Sequence, residues 1–160
     1  MSPYVVLETN GSVATIILAR PPVNALDAAL VEQFQVALNA IEADVRVSVV
    51  TIRSSVKAFC AGADLGVVGS FLQSPSPSQA MGDYARAVQS LFDRIEQLPA
   101  VTICDIQGSA MGGGLELALA TDFRLASSRA KFGLPEAALG LIPAAGGTQR
   151  LARLCGIEVA

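Results

Sequence analysis

Apolar and polar residues first organise the chain into two short β-rich runs, residues 5–7 and 13–18, and Asn10-Gly11 between them is a strong hairpin signal. The following Arg20-Pro21-Pro22-Val23-Asn24-Ala25-Leu26 predicts an extended connection, because each proline disfavours helix before it. The period then changes. Leu30, Phe34, Leu38 and Ile41 fall on one helical face and predict a helix to about Asp44. Asp27 is placed to cap it, with Leu26 and Val31 as a hydrophobic staple. Val47, Val49, Val50 and Ile52 predict a strand over residues 45–52. Residues 66–78, with Gly69, Ser70 and a Ser-Pro-Ser-Pro-Ser stretch, read as a mobile surface loop. Tyr84, Val88, Leu91, Ile95 and Leu98 then predict an amphipathic helix over 79–98, stopped by Pro99.

The second half is denser. Residues 101–106 form an apolar run that reads as a buried strand, broken by Gly108. A short apolar helix is predicted from about Gly114 to Ala120, then a strand over 123–126. Residues 131–136 lead into a segment over 137–141, and Thr148 is placed to cap a last helix that runs to Leu154 and ends at Gly156. The class is α/β. No repeat shows in residue identity; the recurrence is architectural, two strands and a helix, then a strand, a turn and another helix.

Composition narrows the picture. A chain of 160 residues fits one domain and can bury roughly 70% of its unfolded surface. A net charge of −3 without a basic block argues against nucleic acid and anionic membrane surfaces as partners. Hydrophobic residues reach 52%, yet no apolar run approaches the ~18 residues of a membrane span. That excess predicts surface buried against partner subunits. The opening Met-Ser-Pro-Tyr has no basic region and no signal-type core, so nothing directs export. Cys60, Cys104 and Cys155 have neither metal-ligand nor redox spacing, and a reducing cytoplasm is the expected setting. Histidine is absent, which removes Ser-His-Asp and Cys-His catalysis and the usual zinc sites. Acid–base work must fall to carboxylates, tyrosine, cysteine, lysine or backbone dipoles.

Two stretches carry candidate chemistry. In residues 101–124, Gly112, Gly113 and Gly114 lead from a strand into a helix, whose first N–H groups lack intrahelical acceptors. Bare amides there suit a phosphate, a carboxylate or a developing oxyanion. Glu116 lies in the first helical turn among leucines 115, 117 and 119, and a raised pKa is expected of it. A plain strand–helix turn, with Glu116 merely complementing the dipole, fits this segment equally well. In residues 54–65, small side chains around Gly62 would let a ligand approach the backbone, though an ordinary post-strand turn also fits. Glu136 stands near a second glycine-rich bend, again in apolar company, as a helix-start carboxylate or half of a carboxylate pair.

Taken together, residues 57–65, 107–122 and 132–151, with the Pro-x-x-Asn-Ala-Leu run ending at Leu26, resemble the enoyl-CoA hydratase/isomerase (crotonase) family in order and spacing. The resemblance implies a spiral of ββα units and a coenzyme A thioester as ligand. It implies an oxyanion hole from the backbone N–H groups of Ala63 and Gly113, and catalytic roles for Glu116 and Glu136. Ala61, Asp64 and Leu65 would face the adenine and pantetheine of coenzyme A, with Lys57 near a phosphate. Ala144 stands where the hydratase pattern has Gly, and its N–H would help hold water. The implied reaction is hydration of a trans-2-enoyl-CoA, as in fatty acid metabolism, with double-bond isomerisation or a non-catalytic binding role as alternatives. No metal or redox cofactor is required. Family chains continue into further helices, so the whole of 1–160 is expected to be a core domain truncated before the usual C-terminal helical region. Leu151 and Leu154 would then lack their cover, and a homo-oligomer, a trimer or dimer of trimers, is implied.

Overall fold

The computed structural model describes residues 2–160. Strands β1 (Val5–Asn10) and β2 (Val13–Leu18) form an antiparallel hairpin. Asn10 pairs with Val13, so the turn residues are Gly11 and Ser12, one position later than predicted. The first turn position takes φ +59°, which glycine accepts without strain. Helix α1 (Ala28–Ala43) starts as its capping residue dictates: the Asp27 carboxylate accepts from Leu30 N at 2.8 Å.

Strand β3 (Val49–Ser54) begins four residues later than the valines suggest. Arg46 donates to the Asp44 carboxylate at 2.9 and 2.7 Å and holds a turn there, leaving Val45 almost fully exposed. The predicted loop over 66–78 is also corrected. Helix α2 (Leu65–Leu72) occupies its first half, because Asp64 caps the amides of Gly66 and Val67 and Val68 anchors the helix in the core. Helix α3 (Pro77–Glu96) starts two residues early, with proline at its first position, where a missing N–H does no harm. Strand β4 (Val101–Ile106) matches its prediction. It is followed by β5 (Ala110–Met111), α4 (Gly113–Leu119), β6 (Phe123–Ala126) and β7 (Phe132–Gly133). A short 3-10 helix covers Pro135–Leu139 and stops at Gly140, so the segment predicted over 137–141 begins and ends earlier. Helix α5 (Gly147–Cys155) is capped by Gly146; Thr148 lies inside it and its hydroxyl bonds Gln149, so the predicted Thr148 cap is not made.

The main sheet runs β1-β2-β3-β4-β6, all parallel after the hairpin. One face is packed by α1 and α3: Ile16, Val50, Ile52, Cys104 and Ile106 meet Phe34, Leu38, Leu91, Phe92 and Ile95 in one core. A second, smaller layer explains the site. After each of the parallel strands the chain makes one short extended step: Leu26 bridges Ala63, Cys60 bridges Ala110, and β5 pairs with β7. A helix or helical turn follows each step. The result is a spiral of strand, short strand and helix, and the short steps stack beside one another.

Candidate active site

The stack brings two glycine-rich turns into contact. Leu26 N donates to Gly62 O at 2.7 Å, and Asp64 N donates to Leu26 O at 3.0 Å. In such a parallel bridge the N–H of the intervening residue, Ala63, turns the other way. Gly113 is the first residue of α4, so its N–H has no intrahelical acceptor. Among the described residues neither N–H has a hydrogen-bond acceptor. They are neighbours: a Cβ placed on Gly113 would lie 3.8 Å from Ala63 N. Gly62, at φ +85°, allows this approach, since a Cβ there would sit 2.8 Å from Met111 O and 2.9 Å from Gly113 N.

Both donors border a cavity of about 310 Å³ whose wall includes Leu26, Val68, Tyr84, Val88, Leu141 and Ile142. Glu116 and Glu136 reach the same cavity. Glu116 is 3% exposed, and its Oε1 accepts from Ala145 N at 2.8 Å and Gly147 N at 2.7 Å. Burial drives its pKa above the ordinary carboxylate value; the Gly147 amide opposes this, the Glu136 charge adds to it, and the Ala145 amide and Arg150 oppose it. Glu136 is half-buried, and among the described residues its Oε2 is shielded from solvent without a hydrogen-bond partner. Its Oε1 lies against Gly112, where a Cβ would come within 2.6 Å. Gly112 also takes φ +52°, so that position demands glycine twice over. Two carboxylates and two free amide donors around an apolar cavity can move protons at a carbon beside a carbonyl whose oxygen turns negative.

A family model described as enoyl-CoA hydratase/isomerase matches residues 8–160. The chain belongs to the enoyl-CoA hydratase/isomerase family. Within it, the chain is 44% identical over 138 residues to mouse methylglutaconyl-CoA hydratase, mitochondrial, covering 86% of this chain and 42% of that protein. It is 44% identical over 154 residues to bovine enoyl-CoA hydratase domain-containing protein 2, mitochondrial, covering 94% and 50%. The solved enoyl-CoA hydratase of Geobacillus kaustophilus superposes with a TM-score of 0.91 at 34% identity, covering 99% of this chain and 59% of that one. That of Bacillus anthracis superposes at 0.89 and 37%, covering 98% and 60%. The mixed α/β fold is therefore the crotonase fold, and the chain spans about half the length of the curated relatives it matches.

For an enoyl-CoA hydratase/isomerase family member, the remaining candidate residues divide by environment. Lys57, Ala61 and Leu65 are exposed on the segment leading through Ala63 into α2. The Asp64 carboxylate is committed to the α2 cap and to Arg20, 2.8 Å away. Burial of Asp64 works against ionisation, but Arg20 and the two cap amides outweigh it and hold its pKa low. Ala144 borders the cavity, and its carbonyl accepts from Gln89 at 2.5 Å.

Two residues escaped the sequence reading. Buried Asn24, at φ +52°, donates to Ser54 Oγ and Phe59 O, each at 2.8 Å, and so fixes the segment that carries Ala63. Its presence in the Pro-x-x-Asn-Ala-Leu run was the available signal. Arg150 is the other, and it grips the loop that holds Glu116.

Proposed function

We propose that this chain carries the chemistry of an enoyl-CoA hydratase, adding water across the 2,3 double bond of a trans-2-enoyl-CoA thioester. One observation supports this best: Glu116 and Glu136 share an apolar cavity with the free amides of Ala63 and Gly113. In this reading the two amides receive the thioester oxygen as it gains negative charge, each worth roughly 3 kcal/mol. Glu116, with Oε1 fixed by two amides, offers Oε2 to the water that attacks C3. Glu136 transfers the proton to C2. The product is the 3-hydroxyacyl thioester; the water oxygen ends on C3, its hydrogens are divided between the new hydroxyl and C2, and no electrons are exchanged. No metal or redox cofactor enters the scheme.

The test is hydration of crotonyl-CoA, followed by loss of the conjugated thioester absorbance. Turnover that depends on both glutamates supports the reading. A folded chain that binds the thioester without hydrating it overturns the reading. The proposal includes a homo-oligomer, supported by Phe123 and Leu125, about 60% exposed on the sheet's edge strand β6. Sedimentation as a compact monomer at micromolar concentration would contradict that part.

A further inference from the structure

Arg150 sits outside the reacting groups, yet it is only 5% exposed and its guanidinium is engaged on three sides. Nε and Nη2 donate to Glu96 Oε2 at 3.2 and 2.8 Å, and Nη2 also donates to Asp93 Oδ1 at 2.7 Å. Nη1 donates to Ala145 O at 2.9 Å. The cap residue Gly146 lies against the same nitrogen so closely that a Cβ there would collide with it. Ala145 is thus held from both sides: its carbonyl by Arg150, its N–H by Glu116, with the Gly147 N–H beside it. Removing a guanidinium from water is expensive, and an aliphatic side chain on α5 could fill the same volume. What it could not do is hold two acidic anchors on α3 and a loop carbonyl with one rigid fork.

We propose that Arg150 is a positioning residue for Glu116, acting through the 145–147 backbone and anchored on Asp93 and Glu96. The charged and titratable groups facing Glu116 are Glu136 from the 3-10 helix, Arg150 from α5 and Tyr84 from α3; Asp93 and Glu96 face Arg150 itself. Burial is the largest influence on Glu116 and raises its pKa, the Glu136 charge also raises it, and the two amides and Arg150 bring it down. Arg150 therefore works in two ways with one sign. Its charge favours the carboxylate directly, and its grip on Ala145 keeps both amides on Oε1. The importance of this for turnover rests on the hydratase reading; the effect on Glu116 itself does not.

The test reads Glu116 by carboxyl-carbon NMR titration of the chain as it stands, with the amide proton shifts of Ala145 and Gly147 recorded alongside. Arg150→Met is expected to raise the Glu116 midpoint and move both amide protons upfield. Arg150→Lys keeps the charge and loses the fork, so the midpoint rises less than in Arg150→Met while the amide shifts still move. A folded Arg150→Met variant with midpoint and amide shifts unchanged overturns the proposal. If that variant does not fold, Arg150→Lys with unaltered amide shifts overturns it equally. Where crotonyl-CoA is turned over, the acidic limb of kcat/KM follows the midpoint upward in Arg150→Met. NMR shifts as expected with no hydration by the original chain would leave Arg150's role intact and sink the hydratase reading alone.

Discussion

The two sides of the cavity are built on different principles. On one side the candidate groups are backbone amides, Ala63 and Gly113, fixed by main-chain bonds between residues 23–26, 59–64 and 110–113. Asn24 helps hold the segment that carries Ala63, and small residues allow the close approach of the two amides. On the other side the groups are side-chain carboxylates, carried on α4 and on a five-residue 3-10 helix, and the protonation of Glu116 depends on a loop. The first side is set by geometry and is nearly indifferent to pH. The second is set by electrostatics and can be tuned one residue at a time.

Substitutions that spare shape but remove charge strike only the second side. Glu136→Gln and Glu116→Gln are each expected to lower crotonyl-CoA hydration by ~10²–10⁴-fold. Because both act on one water and one proton, the double variant should fall short of the product of the single losses. Loss of double-bond migration in Glu136→Gln, with much of it kept in Glu116→Gln, would point to an isomerase instead. Unchanged hydration in Glu136→Gln removes that residue from the proton step.

Gly113→Pro strikes the first side by deleting one donor. The expected loss is ~10²–10³-fold in kcat, with the pH profile keeping its shape. The ring must displace Leu26 Cδ1, which is 2.9 Å from the Cβ position, so folding is checked by circular dichroism. A folded variant with normal turnover excludes the amide's role.

The smallest expected effect is on stability. Burial holds the folded-state pKa of Glu116 above the ordinary 4.5, so between those values the folded state binds more protons than the unfolded one. Stability contributed by the neutral form is present below the ordinary pKa and lost as pH rises through the folded value. Glu116→Gln has no such loss, and its Tm relative to the original should rise by a few degrees across that window. Melts at stepped pH check this; a gap that stays flat with pH contradicts the burial effect.

Most of the scaffold was legible because its signals are local. Asp27 caps α1 as its position suggests, and residues 101–106 and 123–126 are the strands their apolar runs predict. The α2 helix was not legible: Gly66, Gly69 and Ser70 are poor helix formers, and the helix stands on an Asp64 cap and the burial of Val68, which composition does not display. Val45 misled because its apolar side chain sits in an exposed turn. Glu116 and Glu136 were visible as isolated carboxylates in apolar company, while their shared cavity is a tertiary fact. Arg150 was invisible for a related reason. Its anchors, Asp93 and Glu96, lie more than 50 residues earlier on a face that looks solvated, and nothing local pairs them.

The spiral has a consequence for how competence is gained. Each turn supplies one piece of the cavity: Leu26 from the first, Ala63 from the second, Gly113 and Glu116 from the third, Glu136 and the 145–147 amides from the fourth. These pieces meet only through parallel pairings between distant strands, which close slowly compared with a hairpin. A chain with three turns in place owns the donor pair but has a Glu116 with no amides on it and no second carboxylate. Such an intermediate has no graded share of the chemistry. The proposed activity would arrive all at once, with the closing of the fourth turn.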